Sequence, residues 1–208
     1  MTGASGPAAA LVLALLASPT PTPRPTPRPA EPDADEKRVE HPVQFVEPSP
    51  QMRKLAPLVG TWSFTERWTA PERYKRGVYE GEPGPGGSGT LTVSLGPGGF
   101  SLVVDSDGTN PMGHVTSRRI LAWDSDRRLY ELDEIHSAFP GVLHLTGRFE
   151  EGDLVFRGTD ARTGAPRSVR LVWKGLGQDA WTANASEAPQ GGRFEPVVTA
   201  AFTRLSPR

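Results

Sequence analysis

A chain of 208 residues has the length of one domain, yet it holds only 36% hydrophobic residues beside Gly 23 and Pro 22, so part of it stays out of any core. The formal net charge of -1 removes a bulk electrostatic attraction to nucleic acid or to an anionic membrane surface. With Cys 0, disulfides, thiolate metal sites and cysteine nucleophiles are excluded.

Ala8 to Ala17 is an apolar run of about ten residues, the size of a signal-peptide core and short of the roughly 20 that a spanning helix needs. Small residues at Ala17 and Ser18 offer a cleavage point. Residues 1–18 therefore read as a signal peptide, the protein as secreted or periplasmic, and no stable membrane span is expected. One feature departs from the pattern: no Lys or Arg precedes the run. Pro19 to Pro29 then reads PTPTPRPTPRP, and proline at alternate positions denies both helix and ladder hydrogen bonds, leaving polyproline II. Residues 19–50 are expected to be a disordered linker. Fully extended at roughly 3 Å per residue, about 30 such residues reach about 90 Å. The segment is either a spacer holding the following domain away from a surface or a leader with no task.

From residue 51 to 208 the chain reads as one domain. A helical turn, Gln51 to Leu55, precedes a series whose apolar residues recur every second position. Gly60 to Trp68 comes first, followed by Gly89 to Leu95, Phe100 to Asp105, Val115 to Trp123 and Leu129 to His136. Val142 to Phe149, Leu154 to Asp160, Ser168 to Trp173, Trp181 to Glu187 and Val197 to Leu205 complete it. Each is short, rich in β-branched or aromatic residues and bounded by Gly, Pro, Asp or Asn. Turns such as Gly96-Pro97-Gly98-Gly99 and Glu150-Glu151-Gly152-Asp153 are too short for parallel crossovers, so neighbours pair antiparallel. The expected fold is all-β: an antiparallel up-and-down barrel of about eight to ten strands, which closes its own edges. A two-sheet sandwich is the rival, and periodicity alone does not separate them.

The opening Leu55-Ala56-Pro57-Leu58-Val59-Gly60-Thr61-Trp62 resembles the L-x-x-L-x-G-x-W start of lipocalins, fatty-acid-binding proteins and related calycins. The resemblance implies a lipocalin-like barrel in which Gly60 begins the first strand and Trp62 plugs the closed end. It also implies an arginine of the last strand lying across that ring, a place Arg204 matches. Residues 51 to 208 further resemble a bacterial family of lipocalin-like secreted domains of unknown function, through Ala122-Trp123-Asp124 and Leu129-Tyr130-Glu131. Nitrobindin-type haem barrels share the opening, but they use a histidine near the end of the final strand. Here Pro196 to Arg204 contains none, while His114, His136 and His144 lie mid-chain, so no cofactor is expected.

Alternation sorts side chains into two faces. Glu66 shares a face with Trp62, Phe64 and Trp68; Arg119 shares one with Val115, Leu121 and Trp123; Tyr130, Leu132, Glu134 and His136 share another. If the aromatic faces point inward, Glu66, Arg119, Tyr130, Glu134 and His136 line the lumen as candidate ligand-binding residues, and Gly60, Trp62 and Arg204 are structural. Inward charges are costly unless paired, so the Glu and Arg side chains should meet one another or a ligand. His144 falls on the outer face. Gly84-Pro85-Gly86-Gly87-Ser88-Gly89 precedes a strand rather than a helix and lacks the helix N-terminus of a phosphate loop; a hairpin lid over the barrel mouth is the expectation. Asn110 to Gly113, before His114, is either a cap on the same mouth or a plain turn. No metal-ligand spacing is visible.

Three functions fit these residues. The first is a module binding a small, largely apolar molecule in the lumen. The second is an enzyme using Glu134 and His136 as an acid–base pair. The third is a structural or interaction domain whose lumen is filled by its own side chains. No nucleic-acid partner is expected.

Overall fold

The computed structural model describes residues 47–69, 86–177 and 179–205; the expected signal peptide and all of the linker before Glu47 lie outside these. Ser49 and Pro50, linker-like in composition, instead start the domain. The Ser49 hydroxyl accepts the Met52 N–H at 3.2 Å and so caps a one-turn helix, α1 (Pro50–Arg53), with proline at the first helical position, where its missing N–H costs nothing. A 3-10 turn, Ala56–Leu58, follows.

Ten strands then succeed one another: β1 (Gly60–Trp68), β2 (Gly86–Leu95), β3 (Ser101–Asn110), β4 (Gly113–Asp124) and β5 (Leu129–His136), then β6 (Phe139–Glu150), β7 (Asp153–Asp160), β8 (Arg167–Lys174), β9 (Ala180–Pro189) and β10 (Glu195–Arg204). Every strand pairs antiparallel with its chain neighbours, and β10 closes on β1. The architecture is an up-and-down barrel, not a sandwich. β3 runs past Asp105 to Asn110, although Asp-Ser-Asp-Gly-Thr-Asn has the composition of a turn. Its ladder with β4 overrides that preference: Asp105 stands opposite Arg118 and takes a forked ion pair from it at 2.7 and 3.0 Å. Gly108 of β3 and Gly89 of β2 face each other under the Phe64 ring, where a Cβ at either would lie 2.8 Å from Phe64 Cζ. The glycines at the start of β2 are therefore ladder residues seating an aromatic ring; Gly86 to Gly89 do not form a lid, and Gly84 and Pro85 lie outside the described residues. No helix among the described residues is long and apolar enough to cross a membrane, which leaves the outer wall of the barrel unaddressed.

One end of the barrel is plugged. The Trp62 ring is wholly buried, and its Nε1–H donates to the Leu58 carbonyl at 2.8 Å. Register sets Arg204 beside it, with the guanidinium 4.1 Å over the indole and donating to the carbonyls of Val59 and Pro57. Gly60 has φ 141°, and a Cβ there would meet Arg204 Nη1 at 2.3 Å, so only glycine admits the arginine. Met52, Leu55 and Leu58 are buried beneath the same end. The other end is formed by the turns after β3, β5, β7 and β9 and by the far ends of β1 and β2.

Candidate functional site

Above the plug the lumen holds a cavity of about 210 Å³, larger than the roughly 150 Å³ apolar cavity known to take up benzene. Its deep wall is apolar, with Leu91, Leu132, Leu145, Trp173, Trp181 and Phe202 among the lining. Trp181 stacks on Phe202 at 3.8 Å and nearly parallel. The lining turns polar toward the open end, where Glu66, Arg119, Glu134, His136, Asp160, Arg162 and Glu187 reach it. This polarity follows from the strand sequences: on β5 and β9 the inward residue nearest the plug is aromatic and the one nearest the mouth ionisable, while on β1 Glu66 follows Trp62 and Phe64 and precedes Trp68.

Glu66, Arg119, Glu134 and His136, the residues the two-residue period turns inward, all line this cavity. Tyr130 does not. It shares their face but sits at the plugged end of β5, buried against Trp123 and Phe149 at 4.9 and 5.8 Å between ring centres. Its hydroxyl donates to the Gln51 carbonyl at 3.0 Å, tying α1 to the barrel, and burial pushes the phenol up to about 12. Alternation fixes a face, not a height along the strand, and Tyr130 is structural for that reason. Gly60, Trp62 and Arg204 come together as described. His144 is exposed on the outer wall, 2.7 Å from Asp133. His114 is exposed and paired with Asp107 at 3.0 Å. The Asn110–Gly113 segment is a tight turn held by the Met112 N–H on Asn110 Oδ1 at 2.8 Å, and Asn110 reaches the cavity rim.

Glu134 is the hub of the charges. Its Oε2 accepts from Arg119 Nε at 2.5 Å, and its Oε1 lies 3.5 Å from Arg162 Nη1. Arg162 in turn forks onto Asp160 at 3.0 and 2.9 Å, and its own N–H donates to Asp160 Oδ1 at 2.8 Å. The guanidinium of Arg162 lies 5.0 Å over the Phe139 ring. Burial alone would push Glu134 up, but Arg119, the neighbouring His136 and Arg162 outweigh it and hold the carboxyl below the ordinary value. Asp160 is likewise held low, the bonds from Arg162 overcoming its burial. At the rim, Arg167 Nε donates to Glu187 at 2.7 Å. Arg162 does not stand out in the sequence, because it lies in the β7–β8 turn, where no period marks direction; Asp160 ends β7 on the same alternating face as Leu154 and Phe156, and that period was the signal for it. For Arg162 the available signal was a debt of charge: an inward Glu134 needs cationic neighbours, and the Asp160-Ala161-Arg162 spacing suits an Asx turn.

Glu66 differs from Glu134. Its Oε1 accepts the Trp68 indole N–H at 2.6 Å, and among the described residues the carboxylate has no other donor. Burial pushes its pKa up, only partly offset by the Trp68 bond and the charge of Arg119. His136 is pushed down by burial, with Arg119 and Arg162 acting the same way and Glu134 against, so the ring is neutral near pH 7. Its Nδ1 accepts the Ala138 N–H at 3.1 Å, which leaves the neutral proton on Nε2. Among the described residues His136 and Glu134 share no hydrogen bond, and both Glu134 oxygens are turned to guanidinium groups. That geometry orients charge; it does not assemble a proton-transfer pair. Among the described residues no group of three or more His, Asp and Glu side chains is placed to hold a metal ion.

No family model matches the chain, and no curated protein does. Among solved structures it is similar to Rv2717c from M. tuberculosis, with a TM-score of 0.51 at 13% identity over 77% of this chain and 100% of that one. Identity that low carries the fold alone. The shared feature is a ten-stranded antiparallel barrel.

Proposed function

We propose that the domain is a binding module that holds one small, largely apolar molecule in the lumen, with its polar end toward the charged mouth. The observation that carries this reading is the cavity: about 210 Å³ of space closed by an indole plug, apolar at depth and polar at one end, the usual plan of a small-molecule site. A barrel that served only as a scaffold would gain from filling that space, since each unfilled volume forfeits packing energy. We further propose that the chain acts outside the cytoplasm, in the periplasm or secreted, a reading supported by the apolar run ending at Ala17-Ser18. Nitrobindin-like haem chemistry finds no support in β10, which carries no histidine.

Native mass spectrometry of the full chain purified from its source should show a bound molecule that organic extraction removes. Ala185 lines the cavity, and Ala185→Phe should abolish that adduct while the protein still unfolds cooperatively. A source-purified protein free of adduct, together with an extracted protein that takes up no apolar probe, would end the binding reading.

A further inference from the structure

We infer that the lumen is selective for a hydrophobic amine, with the ammonium group of the ligand seated on Glu66 and its apolar body among the aromatic side chains below. This rests on the binding reading above and names the ligand class.

The argument is one of partners and charge. At the mouth, Glu134 is met by Arg119 and Arg162, Asp160 by Arg162, and Glu187 by Arg167. Among the described residues, Glu66 alone of these carboxylates is met by no guanidinium at bonding distance; its hydrogen bond comes from a neutral indole. Among the described residues, the ring of Glu66, Glu134 and Asp160 therefore sets three carboxylates against two guanidinium groups, Arg119 and Arg162. An incoming carboxylate would raise the excess of negative charge in a confined space, whereas an ammonium would cancel it. The positive groups that would greet an acid are already spent on Glu134 and Asp160.

The surroundings of Glu66 agree. On the adjacent strands, Gly87 of β2 and Ala200 of β10 stand opposite it, and neither carries a charge or a side chain that would block approach from the lumen. Phe64 and Trp68 flank it on the same face of β1, and both line the cavity. These rings give the apolar body of the ligand surface to pack on beside the carboxylate that supplies the countercharge. Burial that raises the Glu66 pKa is relieved when a fixed positive charge arrives, so ligand binding and loss of the Glu66 proton are linked. Among the described residues the charged groups facing this step are Arg119, which acts on Glu66 directly and disfavours the ammonium, Arg162, which disfavours it too, Glu134 and Asp160, which favour it, and His136, which disfavours it only when protonated.

The test uses the full-length protein, extracted free of adducts, and three probes of one chain length: octylamine, octanol and octanoate. Their affinities are measured by calorimetry from pH 5 to 8 for the native protein and for Glu66→Gln, which keeps an acceptor for Trp68. The expected result is that octylamine binds about tenfold or more tighter than octanol, as charge-assisted bonds require, and octanoate weakest of the three. Octylamine affinity should rise with pH, and Glu66→Gln should lower it about tenfold and flatten that rise while octanol affinity stays within about twofold. Octanoate binding as tightly as octylamine, or octylamine binding unmoved by Glu66→Gln, would overturn the amine inference and leave the pocket standing. Failure of all three probes to bind a cooperatively folded protein overturns the pocket and the inference together.

Discussion

Replacing Arg204 by Met should loosen the plugged end by about 3 kcal/mol, and the reason can be tested through Gly60. The Arg204 guanidinium makes two hydrogen bonds to backbone carbonyls and covers the Trp62 ring at 4.1 Å. Charge-assisted bonds contribute about 1.5–3 kcal/mol each when buried; Arg204 is half-buried, so the lower figure applies, and the ring contact adds about 1 kcal/mol less overlap. Gly60→Ala acts on the same group. Its Cβ would lie 2.3 Å from Arg204 Nη1 and its φ is 141°, so the variant both displaces the guanidinium and strains the backbone, the latter by about 1–3 kcal/mol. In the Arg204→Met background only the strain remains. The double variant should therefore be less destabilised than the sum of the singles by about 2 kcal/mol. Urea unfolding followed by tryptophan fluorescence reports all four proteins, with five tryptophans in the chain. Additivity within about 0.5 kcal/mol would refute the claim that Gly60 exists to admit Arg204.

Glu134→Gln leaves Arg119 and Arg162 facing each other around a neutral amide and should cost about 2–4 kcal/mol, much of it recovered by adding Arg119→Met; denaturant midpoints decide this. Glu66 behaves oppositely: its folded pKa is raised, so it stabilises relatively as pH falls through that pKa and is a liability above it. Glu66→Gln should thus equal or exceed the native protein in melting temperature at pH 7, and a lower value would contradict the burial argument. His136 has a depressed folded pKa, so its contribution is complete above the ordinary value near 6.5 and is lost as pH falls toward the folded pKa; His136→Gln should flatten the melting-temperature profile across that window. Trp181 Nε1 is buried without a partner among the described residues, while its ring stacks on Phe202. Trp181→Phe should therefore stay within about 1 kcal/mol of the native protein, where Trp181→Ala costs about 3–5 kcal/mol.

The ten strands were legible because β-barrels obey one period throughout, and the turn residues between them are short and chemically distinct. Arg119 meeting Glu134 was legible too, since an inward charge must find a counter-charge. What alternation lacks is a coordinate along the strand. Tyr130 and Glu134 share a face, yet one braces α1 and the other borders the cavity, and only the closed register distinguishes them. Turns lack even a face, so Arg162 is placed over Glu134 only by the closed structure, whereas Asp160, at the end of β7, shares the inward face of Leu154 and Phe156. The tail of β3 departs from its composition in the other direction: its turn-like residues are held extended by cross-strand pairing with β4 and by the ring of Phe64, which needs Gly89 and Gly108 together.

These placements divide the barrel by task. Around Trp62 the side chains are large and buried, and its own indole N–H and the Arg204 guanidinium are satisfied by backbone carbonyls, so the plug rests on packing and on bonds to the entry turn. At the mouth the same strands spend stability on charges held half out of water, and the carboxylate of Glu66 is kept in a place that disfavours its ionised form. A sequence under no demand but folding would replace Glu66 with a leucine and fill the space below it, gaining on both counts. The costs fall on one end of the barrel and around one cavity, and a ligand that brings its own positive charge and apolar bulk offsets both at once.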